Sequence, residues 1–171
     1  MQPDLWKIFE NVNRWLEYGE RKNAYVLTFV AAELALVKFF DLSLQHWQTV
    51  TSLGILGLSL LLTILSFLPK TRIPDAIYFL ATSWIRPHKT DNLLFFEHIA
   101  RYSVSDYISA LQEHYSTTPA IKGNRYLEDL CNQIVVNAGI AASKFRAFRV
   151  VTGSTFIAQP FFVWAVIKSF R

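Results

Sequence analysis

The sequence predicts an all-α integral membrane protein with three transmembrane helices, an N-terminal amphipathic helix and a helical cytosolic segment between spans two and three. Three observations lead there. Val50–Leu68 is a 19-residue run without a charged side chain, closed by Pro69, Lys70 and Arg72, and about 20 apolar residues in a helix cross the roughly 30 Å hydrocarbon core of a bilayer. Two further apolar stretches, Tyr25–Phe40 and Val150–Ile167, stand out from ordinary soluble sequence. Lysine and arginine crowd the segment between the second and third runs and are missing from the loop between the first and second. The predicted organisation is a helix over 1–23, two spans over 24–68, a cytosolic segment over 69–149 and a last span over 150–168.

The first element is an amphipathic helix. Leu5, Phe9, Val12, Leu16 and Gly19 recur at spacings of three and four, which puts them on one face, with Trp6, Trp15 and Tyr18 at its margins. No proline or loop separates this stretch from Tyr25–Phe40, so one unbroken helix is expected. Those 16 residues cover about 24 Å at 1.5 Å per residue. Asn23, Ala24 and Leu42 extend the span, and Lys38 can reach the far headgroups by snorkelling. Glu33 lies inside it, where a carboxylate is expensive and ordinarily faces protein. It is read either as a protonated or interfacial group, or as part of assembly or permeation.

The connection Asp41–Thr49 carries no lysine or arginine, and Trp47 falls where an interfacial aromatic belt belongs. In the second span Ser52, Gly54, Gly57 and Ser59 are small enough to allow close helix contact. The stretch 70–149 has soluble character, with ten lysines and arginines against seven acidic residues. Within it Asn92–Ala100, which contains Leu93, Leu94, Phe95, Phe96 and Ile99, is too short to span and reads as a buried element. Ser103 or Ser105 caps a following helix that turns Tyr107, Ile108 and Leu111 inward. Thr117–Gly123, with Pro119 and Gly123, reads as a loop. A long helix then runs from Asn124 through Arg149 into the third span, where Pro160 removes a backbone bond and should kink it.

Composition excludes several classes. Hydrophobic residues make up 52% and charged residues 18%, against roughly 25% charged in an average soluble protein, which is too apolar for a disordered chain. The net charge of +4 fits an anionic partner or surface, and the distribution of bases assigns most of it to the membrane. The single cysteine, Cys131, excludes an internal disulfide and reads as a small packed side chain. Asp4, Glu10, Glu17 and Glu20 among the early bases do not make a signal peptide, so insertion by the internal helices is expected.

No catalytic pattern emerges. His46, His88, His98 and His114 are scattered, and no metal cluster, nucleophile elbow, Walker loop or glycine-rich dinucleotide turn is present in the sequence. Neither an enzyme nor a cofactor is expected. One constellation stands out: Asp129, Gln133 and Asn137 follow at i, i+4 and i+8, with Arg125 one turn earlier and Lys144 seven residues later on the same face. Two readings stay open, the solvated side of an amphipathic helix and a hydrogen-bonding ladder toward a ligand or a neighbouring subunit.

Three stretches resemble the transmembrane effectors of bacterial Pycsar anti-phage systems. Glu20-Arg-Lys-Asn23 ahead of an apolar helix is similar to that family's Glu-x-Lys-Asn before its first span. Leu65-Ser-Phe-Leu-Pro69 with Asn92-Leu-Leu-Phe-Phe96 and Ile99-Ala100 forms the second stretch. Asp129-Leu-Cys-Asn-Gln133-Ile-Val-Val-Asn137 with Lys144-Phe-Arg146 ahead of a last span forms the third. The resemblance implies a multi-pass effector of the bacterial inner membrane, with a cytosolic N-terminus. It would bind a cyclic pyrimidine mononucleotide, cCMP or cUMP, made by a partner cyclase. It would then oligomerise or rearrange and disrupt the membrane, ending infection at the expense of the cell.

Under that resemblance Arg125, Asp129, Gln133 and Asn137 offer donors and acceptors to a base, and Lys144 or Arg146 holds the phosphate. Phe95, Phe96 or Tyr102 offers a stacking ring, with a core role expected for the two phenylalanines. Glu33, Gln159 and Pro160 are the candidates for membrane assembly or gating. The implied partners are the nucleotide, the lipid bilayer and further copies of the chain, and no nucleic acid polymer. Two alternatives remain: an effector of a cyclic oligonucleotide (CBASS-type) system, and a constitutive membrane adaptor without a ligand.

The distribution of bases places the segment 69–149 in the cytosol. Single cysteines introduced at Lys89 and Lys122 should resist an impermeant thiol reagent in intact cells and react after the inner membrane is opened. Labelling of both from the periplasm would reject this topology.

Overall fold

A computed structural model describes residues 4–40, 42, 46–68, 87–115 and 121–170. Among them the fold is all-helical, without a strand: α1 (Leu5–Phe39), α2 (Trp47–Phe67), a single turn α3 (Phe96–Ile99), α4 (Val104–Tyr115) and α5 (Arg125–Ser169). Pro69, Lys70 and Arg72, expected to close the second span, and Thr117 and Pro119 of the expected loop lie outside the described residues. The chain divides into two compact units, one of residues 1–19 with 69–144 and one of 20–68 with 145–171. Both long helices, α1 and α5, contribute to each.

The first unit packs by the rules of a soluble core. On α1, Leu5, Ile8, Val12 and Gly19 are buried, while Phe9 and Leu16 are half-buried. Ile8 thus joins the inward stripe expected from the sequence. Trp15, expected at the margin, packs against Phe95 and Phe96 at ring-centroid distances of 6.2 and 5.2 Å. The apolar run 92–100 is a buried element, through Leu93, Phe96 and Ile99, whereas Leu94 is turned out. Ser103 caps α4, its Oγ accepting from Asp106 N–H at 3.2 Å, and Tyr107, Ile108 and Leu111 face inward as their spacing requires. The Tyr107 hydroxyl donates to Leu93 O at 2.9 Å. Burial pushes the Tyr107 phenol far above its ordinary range, so it serves as a neutral donor. Gly123 precedes α5 with φ of 90°, a left-handed backbone that glycine takes without strain.

The second unit holds α2 and the apolar halves of α1 and α5. Its core is Val30, Leu42, Leu56, Ala158, Phe162 and Ala165. Two helices, α2 and α5, are long and apolar enough to cross a membrane by length and composition. The α1 stretch expected as a span is helical throughout but is not among them. Between Lys22 and Phe39 it carries Glu33 and Lys38 as well as Lys22, too much charge for its length. α5 continues through Pro160 as one helix. The expectation for the small residues of α2 holds in part. Ser52 and Ser59 are buried, but Gly54 and Gly57 are exposed, with nothing within 4 Å of where a Cβ would stand. They lie on the opposite face and make no close helix contact among the described residues.

Replacing Tyr107 with Phe leaves the Leu93 carbonyl buried without its partner, a loss of about 1–3 kcal/mol. Tyr107→Phe should therefore lower the melting temperature of the purified chain, and an unchanged melting curve would remove this bond from the account of the first unit.

Candidate functional site

The polar ladder of α5 begins in the first unit and is heterogeneous. Arg125 and Asp129 form an exposed i, i+4 pair at 3.7 Å, a geometry that contributes little in water. Gln133 is exposed. Asn137 is half-buried, and its Nδ2 donates to Asn13 Oδ1 of α1 at 2.8 Å. Lys144 is buried at 6% exposure. Arg146 belongs to the second unit and is exposed. The structure thus brings Arg125 to Asp129 and ties Asn137 to Asn13, while Gln133 faces outward between them.

Phe95 and Phe96, candidate stacking rings, are occupied by Trp15 and by each other at 4.8 Å, a core role. Beside them lies a charged cluster that sequence reasoning missed. The Asp91 side chain, 3% exposed, accepts from Arg101 Nη1 at 2.7 Å, and its other oxygen accepts from His88 N–H at 2.8 Å. His98 Nδ1 accepts from Asn92 N–H at 2.8 Å, and the Tyr102 hydroxyl donates to His88 O at 3.3 Å. Burial, then the Asp91 charge, pushes the Tyr102 phenol up. Arg101 Nε is buried without a partner. The one signal in sequence was an acid and a base flanking the apolar run 93–99. Cys131 is buried, and desolvation pushes its thiol up to about 11, so it is an inert packed group. Among the described residues no group of acidic, histidine or cysteine side chains could hold a metal ion.

The second unit is arranged inside out. The buried residues of α2 are Thr49, Ser52, Leu56, Ser59, Thr63 and Ser66, at alternating spacings of three and four. Leu58, Leu61, Ile64 and Leu65 of the same helix are exposed. On α1 the buried residues include Asn23 and Glu33, and Tyr25, Phe29 and Phe39 are exposed. Such a pattern would be unstable in water and is natural where the surroundings are hydrocarbon. Several hydroxyl groups are satisfied locally or across the seam: Thr63 Oγ1 donates to Ser59 O at 2.7 Å, Thr155 Oγ1 to Val151 O at 2.8 Å, and Ser59 and Ser154 share a bond of 2.7 Å. Gln159 Nε2 donates to Glu33 Oε1. Glu33 Oε2, Thr49 Oγ1, Ser52 Oγ and Thr152 Oγ1 remain buried without a partner. Of the three sequence candidates for gating, Glu33 and Gln159 meet, and Pro160 is exposed beside them.

A family model described as the Pycsar effector protein domain matches residues 4–169 of the chain. No curated protein and no solved structure matches it.

Gln133 and Asn137 differ in setting, the one exposed and the other tied to Asn13. Asn137→Ala breaks a half-buried bond and should lower thermal stability by about 1 kcal/mol, whereas Gln133→Ala should leave the melting curve unchanged. Equal losses from both would place Gln133 inside the packing as well.

Proposed function

The chain belongs to the Pycsar effector family, and from that premise we propose that it is a non-enzymatic membrane effector of anti-phage defence that answers a cyclic pyrimidine mononucleotide, cCMP or cUMP, from a partner cyclase. It sits in the inner membrane with three spans, α1, α2 and the C-terminal part of α5, and with its N-terminus and the 69–149 segment in the cytosol. The observation that carries this reading is the family match over nearly the whole length. The inside-out second unit supports the membrane location, because α1 joins α2 and α5 in burying polar groups and exposing apolar ones.

The nucleotide offers one phosphate charge and a base edge, which ask for a cation and for amide-type groups. Gln133 and Asn137 read the base edge, Arg125 and Asp129 flank it, and Lys144 or Arg146 meets the phosphate. Binding shifts an equilibrium only through differential affinity for two arrangements. The unpartnered oxygens of the second unit give the second arrangement something to gain. Assembly of several chains would supply partners to Glu33 Oε2 and Thr152 Oγ1 and let polar faces line an opening. α5 is one helix from the ladder to Gln159, so displacement at Asn137 travels along its axis.

The test uses purified protein in liposomes, with dye release on adding cCMP or cUMP. Gln133→Ala and Asn137→Ala should each raise the nucleotide concentration needed by about tenfold, the effect of losing about 1.4 kcal/mol of binding. Glu33→Leu should bind nucleotide normally and fail to release dye. Absence of release from the wild type with either nucleotide, or full release from Glu33→Leu, would overturn the reading of ligand or of opening respectively.

A further inference from the structure

Within the second unit α1 and α5 run side by side in the same direction. Lys22 Nζ lies 4.9 Å from the Phe148 ring and 5.5 Å from the Phe145 ring, Glu33 meets Gln159, and Phe40 meets Phe170 edge to face at 5.8 Å. The partners advance together along both helices, so Arg21 stands level with residues 146–149. Below that level α1 and α5 form a groove of about 380 Å³ with an almost wholly apolar lining, walled by Tyr25, Phe29 and Phe156, with Thr152 and Gln159 along it. Its volume lies at the small end of the roughly 300–1,000 Å³ of small-molecule sites.

The helical register connects the groove to the bases above it. Arg21, Tyr25 and Phe29 follow at i, i+4 and i+8 on α1, and Arg149, Thr152, Phe156 and Gln159 at i, i+3, i+7 and i+10 on α5. Arg21 and Arg149 are both exposed. Helical side chains lean toward the N-terminus of their helix, so from these positions both guanidinium groups can extend away from the groove to the level where a headgroup would lie, while the aromatic wall extends about 12 Å deeper.

We propose that this groove, with Arg21 and Arg149 at its cytosolic end, is a binding site for one anionic phospholipid. The phosphate lies against the guanidinium groups, whose fork suits two phosphate oxygens, and one acyl chain fills the groove between Tyr25, Phe29 and Phe156. A zwitterionic headgroup would bring its ammonium beside two cations. A free nucleotide would have to bury a sugar and a base against apolar walls. Because Gln159 lines the groove and holds Glu33, a resident chain also shields that bond. This inference rests on the membrane reading proposed above.

The test is native mass spectrometry of the full chain taken into mild detergent from vesicles of equal phosphatidylglycerol and phosphatidylcholine. The expected result is one phosphatidylglycerol retained per chain. The double variant Arg21→Ala/Arg149→Ala should lower that retention by about tenfold or more, the scale of two bases facing an anionic phosphate. Thr152→Trp, which fills the groove without touching a charge, should displace the lipid as well, and Lys122→Ala should retain it. Equal retention of both lipids, or retention of phosphatidylglycerol by the double variant or by Thr152→Trp, overturns the proposal while leaving the membrane location standing. A wild-type chain that stays in solution without detergent and associates with neither vesicle would bring down the membrane reading and this site together.

Discussion

The polar groups of the second unit have to find partners within protein, and its packing follows from that need. Glu33 and Gln159 meet across α1 and α5, Ser59 and Ser154 across α2 and α5, and these contacts fix which faces of the three helices look inward. Val30, Leu56, Ala158 and Phe162 fill the space between these contacts, and other apolar side chains, Tyr25, Phe29, Leu58, Leu61 and Phe156 among them, face outward. In a soluble bundle the driving force would run the other way, since apolar area gains by leaving water. In hydrocarbon the outward leucines and phenylalanines lose nothing, and a bond between two buried polar groups is worth keeping because lipid tails offer none.

The first unit obeys the opposite rule on the same two long helices. α1 buries Leu5, Ile8 and Val12 there and adds Asn23 and Glu33 beside Val30 further along, and α5, which buries Ile134 and Ala138 in the first unit, buries Thr155 beside Ala158 and Phe162 in the second. Among the described residues the buried polar groups of the first unit include Ser143 and Lys144 of α5 and the Asp91–Arg101 cluster, a carboxylate 3% exposed whose charge is met by one guanidinium. Taking away the guanidinium would leave that buried charge uncompensated, a strongly destabilising change. The segment 88–102 is therefore held at both ends by one side chain, with the apolar residues Leu93, Phe96 and Ile99 packed between.

Periodicity made much of this legible. The charge-free run of α2, the inward face of α4 and the continuity of α1 could be read directly, because each rests on spacing along one helix. Direction was harder. Small residues in α2 advertised close contact, but Gly54 sits about 200° around the helix from Ser52, and composition does not say which side meets a neighbour. Ile8 and Phe9 stand at i+3 and i+4 from Leu5 and flank its face on either side, so spacing alone could not choose between them. Pairings across the chain left little or no pattern. Asn13 and Asn137 are 124 residues apart, and the Asp91–Arg101 bond spans irregular backbone. The ladder on α5 was visible as a polar face, yet only the fold separates its internal tie from its exposed members.

Cys131 has a practical consequence. The chain carries a single cysteine, and that thiol is both sealed inside the first unit and held up to about 11 by desolvation. At neutral pH almost none of it is thiolate, the form that attacks alkylating agents. The native protein is therefore chemically silent toward such reagents. A fluorophore or spin label can be attached at a chosen surface position without first mutating a core residue, and distances between labelled positions in assembled chains can be measured on an otherwise unaltered molecule.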